Sequence, residues 1–499
     1  MRSGLVLVAI GAALLLAPAR VEVGRAQLAE GYAERVVGAG LLELPPAAAS
    51  TIATPSKVRA GRRVGAVGLL DVATALPGAL AARAAGPGVA AVLRALGGVL
   101  APIILFATIG SIFFARLRRA PQAGGLGLSP ATALTATGAL LFSTSLLFAV
   151  RRAEATLLAA CMLQLLLDEI TIAPASRRWH VARVALLGAT LTFAAPAYGG
   201  AALALGVLDV SRRAAAGRRL VAALAVAAAV LAALALGRWW DVRVGLPVEG
   251  SGARVHALYG LLLSPGRSLF VFSPLALAGV LAFPRLWARA RLRAESLALA
   301  CAAALVVIAG RADWHGDPAY GPTLVVPLLP LLVEPAALLL DGSGLRRLAF
   351  ATAAVAGLVV QGLGLVVDPE AWPRVVAELR AATGAPGWFL DPAADIEFVP
   401  QLSPVVGQAT LARLAYGHAP VPAPFLLVVG GDQAEVGTGP SATELAWTAL
   451  TARVDRAGLR PNLALVAAPA GAARAQVGIA ALGLLAGAVV LARARREAA

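Results

Sequence analysis

Charge is scarce in this sequence. Only 14% of its 499 residues are charged, against about 25% in an average soluble domain, which argues against a water-soluble chain. Cysteine is nearly absent too. Its two instances, Cys161 and Cys301, both lie inside apolar runs, which suits small core residues rather than a disulfide framework. The four histidines are scattered, so no metal-ligand spacing of the zinc kind forms. No internal repeat is visible, which counts against the paired halves common among transporters.

Apolar sequence is abundant, at 59% of the chain. Apolar segments run over 4–18, 97–115, 130–150, 155–173, 184–210, 220–237, 268–284, 296–310, 324–340, 348–367 and 477–492. Most are near the length that crosses a ~30 Å hydrocarbon core. In lipid every backbone polar group must be paired within its own segment. The expectation is therefore an all-α polytopic membrane protein with about 11–12 helical passes. Segment 184–210 is too long for one ordinary span and carries "FAAPAYGG" (Phe193–Gly200) at its centre. Proline lacks a helical donor and glycine is a poor helix former. This predicts a broken hairpin of two short helices.

The formal charge of +16 would suit nucleic acid, but its distribution does not. With a cytoplasmic N-terminus, the inner segments are 1–3, 116–129, 174–183, 211–219, 285–295, 341–347 and 493–499. They hold 20 of the 43 basic residues and 3 of the 27 acids, a net of +17. The other 23 basic and 24 acidic residues net −1. One side holds the whole excess, as the positive-inside rule requires. Membrane lipids, not nucleic acid, are the partner implied. Both termini are then cytoplasmic. Arg2 and "APA" (Ala17–Ala19) also suit a cleaved signal peptide, and either reading leaves Arg20 onward outside.

Three parts follow: a transmembrane body over 1–367 with its first outer loop at about 19–96, an outer cap over 368–476, and a last helix with a basic tail over 477–499. Smaller outer loops cover 238–267 and 311–323. Long outer loops over short arginine turns suit an enzyme working on the outer face.

Several outer residues carry chemistry. Glu22 sits where the first helix leaves the membrane, placed to act as general base on an acceptor hydroxyl. "RADWHGDPAYGP" (Arg311–Pro322) alternates Asp313, His315 and Asp317, with Trp314 and Tyr320 beside them. Three candidate ligands in one loop leave a divalent metal open. Polar recognition of a sugar or phosphate and plain interfacial anchoring are the other readings. In "GLLLSPGRSLFVFSP" (Gly260–Pro274), Arg267 stands at the outer end of segment 268–284. A helix start is the unfavourable end of the dipole for a cation. An anion there would gain from both the dipole and the guanidinium; the alternative is an arginine snorkelling to headgroups. Glu334 and the pair Asp168–Glu169 are intramembrane acids and functional suspects, with interfacial anchoring the better reading for the pair.

Taken together, "GRRVGAVGLLDVATALP" (Gly61–Pro77), "RVGLPVEG" (Arg243–Gly250), "GLLLSPGRSLFVFSP", "WHGDPAYGPTLVVPLLP" (Trp314–Pro330) and "FVPQLSPVVGQ" (Phe398–Gln408) resemble, in order, the GT-C class of membrane glycosyltransferases. The branch is that of protein mannosyltransferases and aminoarabinose transferases. The resemblance implies a polyprenyl-phosphate-linked sugar donor and inverting transfer, on the outer face of a bacterial inner or plasma membrane, to an envelope glycan, lipid or protein. It implies Glu22 as catalytic base, Arg267 and Arg311 at the donor phosphate, and His315, Tyr320 and Asp313 on the substrate wall. It assigns no metal ligands. Thr323 stands where the family's motif has arginine, and Val64–Val67 where it has "YS" and further polar residues. These departures keep a second reading open, a catalytically degenerate scaffold or partner subunit. A lipid-linked-saccharide transporter is the third.

Overall fold

A computed structural model describes residues 56–59, 62–65, 87–121, 124–150, 154–172, 179–213, 219–244, 254–311, 314, 320–366, 372–373, 376, 396–398 and 403–415. Helix dominates them. The helices are α1 Pro87–Arg118, α2 Pro130–Phe142, α3 Leu146–Ala149, α4 Glu154–Thr171, α5 His180–Ala194, α6 Gly199–Arg213 and α7 Arg219–Val244. They continue with α8 Arg254–Leu263, α9 Leu269–Phe272, α10 Pro274–Arg289, α11 Arg291–Ala309, α12 Leu329–Ala336, α13 Gly344–Val366 and α14 Pro404–Ala415. The strands among the described residues form one antiparallel hairpin, β1 Ser56–Arg59 with β2 Arg62–Gly65, in which Ser56 faces Gly65 and Arg59 faces Arg62. The expectation of an all-helical chain did not include it. The expected spans 4–18 and 477–492 lie outside the described residues.

Several apolar segments are broken, each for a local reason; the break in 184–210 was expected, whereas 130–150, 268–284 and 324–340 were read as single spans. Segment 184–210 ends its first helix at Ala194, passes through a short 3-10 turn at Pro196–Tyr198 and restarts at Gly199. Pro196 has no donor to continue the ladder, so the chain reverses there. The two legs pack together, and His180 near one base lies 2.7 Å from Asp209 near the other. Segment 324–340 becomes a 3-10 stretch, α12 and a second 3-10 turn, because Pro327, Pro330 and Pro335 remove successive donors. Segments 130–150 and 268–284 break at Ser143–Ser145 and at Ser273. These two breaks meet: the Ser145 amide donates to Ser273 Oγ at 3.0 Å, so the second break supplies a partner for the backbone of the first, and the two hydroxyls lie 3.2 Å apart.

The bundle has an arginine-rich end. α1 finishes on Arg116 and Arg118, α6 on Arg212 and Arg213, and α10 on Arg289, where α11 begins with Arg291. Cations at helix C-termini are favoured by the dipole. Ion pairs lace these ends together: Arg212 to Glu295 at 2.5 Å, Arg291 to Glu295 at 3.0 Å and Arg289 to Asp341 at 3.8 Å. Among the described residues, the arginine-bearing ends of α1, α6, α10 and α11 gather at this end.

Among the described residues three helices are long and apolar enough to cross a membrane, over Arg219–Gly237, Arg291–Ala309 and Gly344–Leu365. Only 22% of the apolar window in the first is buried against protein. Leu220, Val221, Leu224 and Leu231 on α7, and Leu348, Val355, Leu358 and Val359 on α13, stand exposed. Contiguous apolar surface of this kind is unfavourable in water and suits lipid. The pattern is that of a membrane protein. Cys161 and Cys301 are buried free thiols, as expected.

Candidate functional site opposite the arginine-rich end

The far end of the bundle assembles residues from segments distant in sequence. Its centre is the turn between α8 and α9. Ser264 Oγ donates to the Gly260 carbonyl at 2.7 Å and accepts the Arg267 amide at 3.0 Å, which closes the turn. Ser268 then caps α9, accepting from the amides of Phe270 and Val271 while donating to the Leu262 carbonyl at 2.6 Å. A serine at this position satisfies donors left over at a helix start.

Arg267 is buried, at 3% exposure. Its Nη1 donates to the Gly321 carbonyl at 3.0 Å, and its Nε lies 3.8 Å from Glu397 Oε1. Snorkelling to headgroups is therefore not what this side chain does. The helix it precedes is one turn long, so little dipole gathers there for an anion. Gly321 has φ of 90°, a conformation that suits glycine, and this aims its carbonyl at the guanidinium. Glu397 is itself buried, at 4% exposure, and its carbonyl accepts the Gly266 amide at 3.0 Å. A Cβ on Gly266 would fall 2.2 Å from the Ile396 carbonyl oxygen. The segment 396–398 thus lies backbone against backbone on the turn.

An aromatic layer surrounds this seat. The Phe398 ring centroid is 4.5 Å from His256 and 6.2 Å from Trp314, and it stacks on Tyr259 at 5.8 Å. Trp314 lies directly over Gly260, where a Cβ would meet its ring at 2.0 Å. Tyr320 is wedged between Phe148 and Phe272, with centroids 5.6 and 4.9 Å away. Its hydroxyl donates to the Val360 carbonyl at 2.5 Å, and burial pushes that hydroxyl's pKa above its ordinary range. Tyr320 also lines a small pocket with Ser145, Thr156 and Thr323. The hairpin reaches the same region, for Tyr198 donates to the Leu324 carbonyl at 2.7 Å.

Of the residues expected from sequence, Arg267 and Tyr320 therefore share this region through Gly321. Arg311 follows α11, its amide bonded to the Ile308 carbonyl at 3.1 Å. Glu22, Asp313 and His315 lie outside the described residues. Glu397 was not expected, His256 was given no role, and Phe398 entered only as the first residue of a motif. Nothing in local spacing marks Glu397, which meets an arginine 130 positions earlier in the chain.

The intramembrane acids have partners at the other end. Glu334 is fully buried and takes Arg293 Nη2 at 2.9 Å and Arg116 Nη1 at 3.3 Å. Asp168 takes Arg116 Nε at 2.7 Å and Arg293 Nη1 at 3.1 Å. Arg116 also donates to the Gln164 carbonyl at 2.9 Å, and Arg293 to Thr171 Oγ1 at 2.9 Å. Two arginines and two carboxylates neutralise one another, which is how buried charges persist. Asp168 is thus more than an interfacial anchor.

No family model, curated protein or solved structure matches this chain.

Proposed function

We propose that the protein is a GT-C-like membrane glycosyltransferase with about 11–12 helical passes. It would transfer a sugar from a polyprenyl-phosphate-linked donor to an envelope acceptor on the outer face. One observation carries the reading. Three of the segments that resemble the family's motifs, 260–274, 314–330 and 398–408, meet in one place. Arg267 bonds Gly321, Phe272 packs on Tyr320, and Phe398 packs on Trp314. A site assembled from motif residues at the end opposite the arginines is what an outer-face transferase requires. In this reading Glu22 is the general base, Arg267 and Arg311 balance charge on the departing phosphate, and Tyr320, His315 and Asp313 border the substrate.

Membranes carrying the protein, assayed with polyprenyl-linked sugars, test it. Removing one preorganised donor costs about 100-fold or more in rate, and removing a general base costs about as much, so Arg267→Ala and Glu22→Ala should each fall at least that far. Unchanged transfer in both variants refutes the residue roles.

The second reading, a scaffold or partner subunit that keeps the fold without the chemistry, rests on the Arg267–Glu397 contact. A buried arginine already facing an internal carboxylate has a structural task without any substrate. Robust transfer by the purified protein alone excludes that reading.

A further inference from the structure

We propose that Glu169, His180 and Asp209 form a proton-holding clasp that ties both legs of the α5–α6 hairpin to α4 and loosens as pH rises.

The argument is an inventory of protons. His180 Nδ1 lies 2.7 Å from Glu169 Oε1, and Nε2 lies 2.7 Å from Asp209 Oδ2. Both are hydrogen-bond distances, so each contact needs a proton between its atoms. A neutral imidazole has one N–H, and an ionised carboxylate can only accept. A neutral ring with two ionised acids would leave one nitrogen lone pair facing a carboxylate oxygen at contact distance. The arrangement therefore holds one proton more than those three groups would carry in their neutral and ionised forms.

The surroundings keep that proton in a protected place. The His180 side chain is 6% exposed and that of Asp209 is 2% exposed. On its own helix, Arg183 approaches Glu169 at 2.8 Å. From α6, Arg213 Nε reaches Asp209 Oδ1 at 3.0 Å, while Arg212 is turned to Glu295 of α11. From α4, Asp168 is engaged by Arg116, by Arg119 and by Arg293 of α11. α7 packs along α5 and begins at Arg219, which is exposed. Arg183 and Arg213 already balance the two carboxylates, so the additional proton is held by hydrogen-bond geometry rather than by an unmet charge. A folded arrangement that binds one proton more than the unfolded chain loses stability as pH rises. When the clasp loses its proton, one hydrogen bond becomes a repulsion between lone pairs, and one leg of the hairpin loses its tie.

The purified full-length chain in detergent micelles, followed by its thermal midpoint from about pH 6 to about pH 8.5, tests this. The wild-type midpoint should fall by several degrees across that range. Asp209→Asn should flatten the slope, because its amide donates to the lone pair of a neutral ring while its oxygen stays beside the Arg213 guanidinium. Glu169 does not allow this exchange, because its Oε1 takes Arg183 as well as His180 Nδ1, and an amide nitrogen there would face the guanidinium. A folded Asp209→Asn protein that keeps the wild-type slope overturns the proposal. So does a wild-type midpoint that does not change over the range.

Discussion

Arg293 grips Glu334 with both sides of its guanidinium fork, Nε to one carboxylate oxygen and Nη2 to the other. The two residues are 41 positions apart and both are buried. Bidentate arginine–carboxylate pairs combine charge with fixed geometry. This one joins the first turn of α11 to α12, and Arg116 extends the joint to α1.

Breaking the pair should unfold the arginine-rich end. Glu334→Ala leaves two buried guanidiniums short of a partner, a change that costs about 3–5 kcal/mol. Thermal unfolding in detergent, or the yield of monodisperse protein, should register it. In a double-mutant cycle with Arg293→Met, the two losses should fall well short of additive. Additive losses would mean that the pair does not act as a unit.

The contact between α10 and α12 depends on Gly279. A Cβ there would lie 1.7 Å from the Leu332 carbonyl oxygen, and that backbone cannot yield as a flexible side chain would. Small residues allow this kind of close helix approach within membranes. Gly279→Ala should destabilise by about 1–3 kcal/mol through overpacking, with Gly138→Ala as control, since a Cβ at Gly138 meets nothing within 4 Å. Equal thermal midpoints for the two variants would contradict the close approach.

Tyr320 should make stability sensitive to alkali. Burial raises its folded-state pKa above the unfolded value, so its contribution is fully present below the unfolded value of about 10 and is lost as pH rises beyond it. Tyr320→Phe should cost about 1 kcal/mol at neutral pH through the lost bond to Val360, and should blunt the alkaline decline. Parallel alkaline unfolding curves for the two proteins would remove Tyr320 as the cause.

The helical class, the turn at Pro196 and the arginine-rich ends were legible because each rests on local chemistry. A proline withdraws a donor wherever it stands, and a cluster of cations stays out of lipid. Three expected spans proved to be broken because their prolines and serines lie within runs whose average hydropathy hides them. Arg267 could be singled out because it stands apart from the arginine clusters in the sequence. Its partners were not legible, because Gly321 and Glu397 lie 54 and 130 positions away and only folding brings them near. For the same reason Glu334 read as an intramembrane oddity until Arg116 and Arg293 supplied its counterions. The histidine clasp escaped notice because Glu169, His180 and Asp209 match no ligand spacing.

The hairpin also gives the molecule a stepped profile. Each of its legs has 15 residues, a rise of about 22 Å. The adjacent α7 has 26 residues, about 39 Å. A hydrocarbon core of ~30 Å would therefore overtop the hairpin by about 8 Å. With its base level with the arginines, the turn at Tyr198 would sit below the opposite leaflet's surface, and the lipid beside it would thin to meet it. A dip of that depth would bring headgroups down toward Leu324 and the Tyr320 turn, so that a lipid's polar end could meet the protein without leaving the bilayer.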